Sequence, residues 1–181
     1  MMSLAKNILI GCCLAILAGC GNDATGIYPP VLPHSPVNAA WKAVENLEYA
    51  YNTMDLELVE ATLDQNFINH LDEEDWADFD GDGIIDDSWG LDLELEWFEG
   101  LFEFADDIEM SFSGEDEYLW TEDSTGQSLE LPRTFSMKVY YDNGPYQGTQ
   151  FSGSVIYVCR PDSNDEWRIW QLFSLQPLWW P

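Results

Sequence analysis

The chain is 181 residues long, carries 34 acidic side chains against 6 basic ones for a formal net charge of −28, and is 46% hydrophobic and 14% aromatic. Such a surface repels nucleic acid and anionic lipid headgroups, which argues against both as partners, and it attracts cations and basic surfaces or serves solubility in a salty habitat. The apolar and aromatic content is enough for the chain to fold in spite of its charge, and residues 36–181 have the size of a single domain with its own core.

Residues 1–19 read as an export leader. Lys6 precedes an apolar run from Ile8 to Ala18, which is shorter than the roughly 20 apolar residues that a membrane span needs. Leu17, Ala18, Gly19 and Cys20 resemble the lipobox of bacterial lipoproteins. That resemblance implies cleavage before Cys20, acylation of its sulfur with palmitate-type chains, and anchoring to the cell envelope by lipid instead of a helix, at the outer membrane in a Gram-negative cell. Leu9 to Cys12 fits the same pattern, but cleavage there would leave almost no apolar region after Lys6. The alternatives are a plain cleaved signal or a buried N-terminal helix.

Without the leader the chain has 34 acids against 5 bases, a balance of −29, and no base lies between Lys42 and Arg133. Cys12 and Cys13 leave with the leader and Cys20 is consumed by lipid, so only Cys159 remains and no internal disulfide can form. Cys159 alternates with Val155 and Tyr157, the placement of a small core residue in a strand. Residues 20–35 form a tether in which Pro29, Pro30 and Pro33 favour an extended polyproline path of about 3.1 Å per residue. His34 falls in this tether and is expected in solvent.

Ser35 can cap a helix with Pro36 at its first position, and Val37, Trp41, Val44, Leu47, Tyr51 and Met54 recur at helical spacing. Asp55 can cap a second, shorter helix through LELVEATL, and QNFINHL follows as an extended piece. Leu91, Leu95, Phe98 and Phe102 predict a third helix over Leu91–Phe104. From Ile108 onward the period becomes two. IEMSFS, TFSMKVYY, QFSGSVIYVCR and EWRIWQLFSL read as strands, with DNGP and RPDSNDE as the turns between them. Helices followed by an antiparallel meander make an α+β domain, the helices covering one face of the sheet.

This order of elements, with Asn52 to Asp55 as the break between the first two helices and Asp64 to Phe67 as an Asp-x-x-Phe, resembles the nuclear transport factor 2-like, or SnoaL-like, family. Some lipid-anchored bacterial members share the SWG found here at Ser88 to Gly90. The resemblance implies a cone of curved sheet and helices whose open end holds a small apolar ligand or, in some members, an active site. Ketosteroid-isomerase-like members use a carboxylate base and dehydratase-like members a His with an Asp. The weak candidate for that role is His70, with Tyr49, Tyr51, Tyr140 and Tyr157 as donors. It would have to point into the cone and meet an acid, because a shielded site is what tunes a base. The competing reading is a partly exposed histidine beside Asp72 and Glu73. Trp41, Trp97, Trp120, Trp167, Trp170, Trp179 and Trp180 line a pocket or fill the core. The terminal LWWP covers an edge or the mouth of the cone.

The loop DFDGDGIIDDSWG spaces its oxygens as a calcium loop does. With Asp78 at position 1, Asp80 stands at 3, Asp82 at 5, Gly83 at the turn, Ile84 at 7 and Asp86 at 9. It also resembles the Asp-rich repeats of thrombospondin type 3-like bacterial proteins. Position 12 is Trp89, which cannot ligate; Asp87 or Asp92 would have to close the site. The alternative is an acidic turn held open in water. The sequence thus reads as an envelope lipoprotein with a non-enzymatic binding or interaction domain for a small apolar ligand or a cationic partner, with calcium as a structural ion. An isomerase- or dehydratase-like enzyme, or a calcium-stabilised adhesion module, is the alternative.

Overall fold

The computed structural model describes residues 33–79, 82–114, 119–123, 126–141 and 148–175. The leader, Cys20, most of the tether, Asp80, the turn at 142–145 and the LWWP segment lie outside these residues.

Helix α1 (Ala40–Thr53) buries Ala40, Ala43, Val44, Leu47, Ala50 and Tyr51, a stripe at three- and four-residue spacing. It begins later than its periodicity predicts. Ser35 does not cap it: residues 33–36 bend ahead of the helix, the Val37 carbonyl accepts the Trp167 N–H at 2.8 Å, and Ala39 takes the cap position without a side-chain bond. His34, expected in solvent, is docked instead. Asn46, fully buried, bonds both backbone groups of His34 at 3.0 Å, because a buried amide must find partners for its donor and its acceptor. Met54 ends α1 in the left-handed region at φ 49°. Asp55 then caps α2 (Leu56–Thr62), its carboxylate accepting the Leu58 N–H at 3.2 Å.

Strand β1 (Leu63–His70) follows directly, then an irregular stretch with a 3-10 turn at Glu73–Asp75, the short strand β2 (Ser88–Gly90), and helix α3 (Leu91–Phe104). The sheet continues with β3 (Asp107–Ser113), β4 (Leu119–Asp123), β5 (Gly126–Tyr140), β6 (Thr149–Pro161) and β7 (Trp167–Ser174). Its order is β2-β1-β7-β6-β5-β3, with β4 paired to β5. The meander expected from the sequence is present in β3, β5, β6 and β7. One pairing departs from it: β1 lies parallel to β7. No tight turn binds β1 to its successor, so it is free to fill the edge of β7 that the meander leaves open.

The opposite edge, β3, is blocked by α1. Asn52 accepts the Met110 N–H at 2.7 Å and donates to the Met110 carbonyl at 2.9 Å, while Glu48 accepts the Phe112 N–H at 2.7 Å. Two helical side chains thus stand in for a missing strand, which protects the edge from another chain.

The inner face of the sheet and the apolar faces of the helices enclose one core. Leu131, Cys159 and Ile169 are wholly buried, and Phe67, Phe98 and Ile108 nearly so. Cys159 is the core residue its alternation predicts, and burial pushes its thiol up to about 12. The Asp-x-x-Phe pair has a physical role. Phe67 enters the core, and Asp64 holds Arg160 through a two-point bridge at 2.9 and 3.1 Å, with Arg160 stacked 4.3 Å from the Trp170 ring. Burial works against the Asp64 charge, but the Arg160 bonds and charge and the Asn66 backbone bond outweigh it and hold the carboxyl below its ordinary value. Its contribution is therefore present above the ordinary carboxylate range and lost as pH falls through that depressed value.

Candidate functional site

Three places bear on function: the interior of the cone, a cleft beside α1, and the acidic loop.

The interior is closed by aromatic rings. Tyr51 packs on Phe98 at 4.8 Å and on Phe112 at 6.4 Å, Phe112 on Tyr157 at 5.4 Å, and Phe98 on Trp97 and Phe102 at 5.2 and 5.6 Å. Among them sits one carboxyl group. Glu94, on the buried side of α3 and 5% exposed, accepts from Asn69 Nδ2 at 2.9 Å and from Trp89 Nε1 at 2.5 Å. Burial raises its carboxyl above the ordinary value, while these two donors work in the opposite direction. Burial, with Glu94 adding to it, also raises the Tyr51 phenol. Asn69 Oδ1 is buried with no partner among the described residues. The triad ties β1, β2 and α3 together, so the excursion between His70 and Ser88 is pinned to the core at its return.

His70 does not join this group. It neighbours Asn69 on β1 and therefore points to the other face of the sheet, where its ring stacks on Phe173 at 4.3 Å with an interplanar angle of 6°. Burial lowers its pKa, with Asp87 opposing. The requirement that His70 point into the cone and meet an acid there is not met. Of the tyrosines named with it, Tyr51 and Tyr157 are inside, whereas Tyr49 is exposed and Tyr140 stands on the outer face with Glu109 and Lys138.

The cleft, of about 480 Å³, lies between α1, the end of β3 and the middle of β5. Val44 and Phe112 connect it to the core. Trp41, Glu45, Glu48 and Tyr49 line the helix side, and Arg133 stands opposite. Arg133 is 7% exposed and donates to the Pro132 carbonyl at 3.1 Å. The backbone at Gly114 approaches so closely that an added Cβ would lie 2.6 Å from that carbonyl, so only glycine fits. A second cleft, of about 490 Å³, surrounds Asp64, Arg160, Asp162 and Arg168. Its guanidinium donors are spent on carboxylates and on the Ala61 carbonyl. Neither cleft is lined by Glu94 or His70.

No protein-family profile and no curated protein matches this sequence. Solved structures do match in shape. A conserved protein from Planctomyces limnophilus aligns with a TM-score of 0.57 at 13% identity, over 74% of this chain and 90% of that one. A nuclear transport factor 2-like superfamily protein from Salmonella enterica serovar Typhimurium gives 0.55 at 11%, over 77% and 89%. A ketosteroid isomerase-like protein from Erwinia carotovora atroseptica gives 0.53 at 13%, over 80% and 99%. The fold is nuclear transport factor 2-like. At these identities the likeness speaks for the fold alone, and the chemistry of this nuclear transport factor 2-like cone has to be argued from its own residues.

The acidic loop is an excursion from that cone between β1 and β2. Asp78 accepts the Gly83 N–H at 2.9 Å, Asp82 the Ile84 N–H at 2.7 Å, and Asp86 the Phe79 N–H at 3.2 Å. Gly83 has φ 88°, a value that favours glycine. Asp87 accepts from the Ser88 hydroxyl at 2.9 Å, and Trp89, at the twelfth position, is turned inward to Glu94 and Phe79. Among the described residues, no three His, Cys, Asp or Glu side chains converge as a metal site.

Glu94, Asn69 and Arg133 were not singled out from the sequence, though a signal for each exists. Glu94 sits three residues after Leu91 and four before Phe98, on the apolar stripe of α3. Asn69 and Arg133 alternate with Phe67 and with Leu131 and Phe135, on the core faces of their strands.

Proposed function

We propose that the chain is an envelope lipoprotein, anchored through Cys20, whose nuclear transport factor 2-like cone binds a small molecule without transforming it, at the cleft between α1 and β3. The observation that carries this reading is the cleft itself. At about 480 Å³ it has the size of a small-molecule site, its wall includes the core residue Val44 and the partly buried Phe112, and neither Glu94, the buried carboxyl of the interior, nor His70 lines it. The anchor rests on the order Leu17, Ala18, Gly19, Cys20 after an apolar run.

The test uses the full chain and two neutral probes, indole and 3,3-dimethyl-1-butanol, followed by amide and indole N–H NMR shifts. Saturable shifts gathered on Trp41, Tyr49 and Phe112 are expected. Shifts scattered over the surface would reject the cleft as the site. In cells, Cys20→Ser is expected to move the protein from the membrane fraction to the soluble one; an unchanged distribution would reject the anchor.

Calcium at Asp78, Asp80, Asp82, Ile84 and Asp86 belongs to the same proposal as a structural ion. Support comes from the spacing, and from Asp78, Asp82 and the left-handed Gly83, which turn the loop back on itself. Calcium is expected to raise the melting temperature of the parent and not of the Asp80→Asn, Asp82→Asn double variant. Equal, unsaturable responses of the two would leave the loop as solvated charge.

A further inference from the structure

We infer that the cleft selects an organic ammonium ion, a cation with apolar substituents, over neutral or anionic molecules of the same shape. The inference rests on the cleft being the ligand site.

The argument begins with the spacing along α1. Trp41, Glu45, Glu48 and Tyr49 are separated by four, three and one residues, which places them along one side of the helix. The order is ring, carboxylate, carboxylate, ring, and Phe112 closes the far side of the cleft. Glu48 spends one oxygen on the Phe112 N–H at 2.7 Å, and Glu45 spends one on His34 Nε2 at 2.5 Å. Among the described residues, the second oxygen of each carboxylate is left for another donor. A neutral occupant would strip water from these carboxylates and return nothing for their charge. An anion would meet them directly, inside the field of a chain whose net charge is −28.

The basic side chains in the lining, His34, which is bonded to Glu45, and Arg133, do not reverse this balance. Arg133 is buried and turns a donor to the Pro132 carbonyl, and a single guanidinium stands against two carboxylates. A cation with methyl or methylene groups around its nitrogen meets both demands of the cleft. Its charge faces the carboxylates, and its apolar shell meets the rings of Tyr49, Phe112 and Trp41, the last of which already holds Lys42 Nζ 5.5 Å over its ring.

The experiment compares choline with 3,3-dimethyl-1-butanol, in which carbon replaces the charged nitrogen, on the full chain at physiological salt, where diffuse attraction is screened. Choline is expected to shift Trp41, Tyr49 and Phe112 saturably and to bind about tenfold or more tightly than the neutral isostere. Glu48→Gln, which keeps an acceptor for the Phe112 N–H, is expected to weaken choline about tenfold. Glu99→Gln removes the same charge from an exposed position on α3 and is expected to change it less than about twofold. Tyr49→Leu, at an exposed ring, is a second variant that leaves the core intact and is expected to weaken choline as well.

Equal binding of the two probes at the cleft would overturn the ammonium preference while leaving the cleft as the ligand site. Equal weakening by Glu48→Gln and Glu99→Gln would overturn it too, since choline would then be responding to net charge. Absence of choline shifts at Trp41 and Tyr49, with the neutral probes also absent, would overturn both the preference and the site.

Discussion

Replacing Phe98 with alanine is expected to lower the unfolding free energy by about 4 kcal/mol. Phe98 is 1% exposed and its ring contacts Tyr51, Trp97 and Phe102, so truncation removes the ring through which α3 meets Tyr51 of α1. The neighbours cannot collapse into the space. Tyr51 is fixed by Phe112 on its other side, and Phe102 is tied to the helix end. A loss of this size is a large share of the roughly 5–15 kcal/mol that holds a domain of ordinary stability together. Urea unfolding monitored by tryptophan fluorescence would measure it. A loss below about 1.5 kcal/mol at unchanged slope would show that the interior repacks easily and is not the closed ring cluster described.

Much of the architecture could be read from periodicity because long elements repeat their signal. The third helix spans Leu91–Phe104, the bounds that its apolar spacing predicts, and Asp55 caps α2 as its position before LELVEATL requires. What failed were interactions between distant segments. Nothing near Ser35 reveals that the Val37 carbonyl will be claimed by Trp167, which delays the start of α1. Nothing local to QNFINHL reveals that it will pair in parallel with the last strand. The short strands β2 and β4 were missed for a related reason, since three or five residues carry too little alternation to register.

The candidate site was less legible than the fold, because it depends on polar residues placed where apolar ones are the rule. Attention to ordinary catalytic types led to His70, which the sheet turns away from the interior. The carboxyl that the interior does contain belongs to Glu94, in a run of alternating acids and leucines where only one acid in the turn faces inward. The cleft required α1 and β3 to be brought together through Asn52 and Glu48, contacts that span 58 and 64 residues and leave no local trace.

Glu94 supplies the second large effect. Glu94→Ala is expected to cost about 4 kcal/mol, because Asn69 Nδ2 and Trp89 Nε1 would both lose their acceptor in a buried place, each at about 1–3 kcal/mol, and a cavity would be added. Glu94→Gln should behave differently. It keeps an oxygen for Trp89 and cannot ionise, so comparison with the parent isolates the charge. Burial raises the Glu94 carboxyl in the folded protein, so the folded state holds its proton where the unfolded chain, with a value of about 4.3, has released it. The proton-linked contribution is then full below about pH 4 and is lost as pH rises through the raised value. Asp64 titrates with the opposite sign, but it is common to both proteins and cancels in their difference. Relative to the parent, the glutamine variant should therefore gain stability steadily as pH is raised from acid to neutral, with a constant gap below the unfolded carboxylate range. Thermal melts of the two proteins across pH would decide it. A gap independent of pH would mean that the donors on Asn69 and Trp89 hold the charged form as readily as water does, and the raised carboxyl would have to be abandoned.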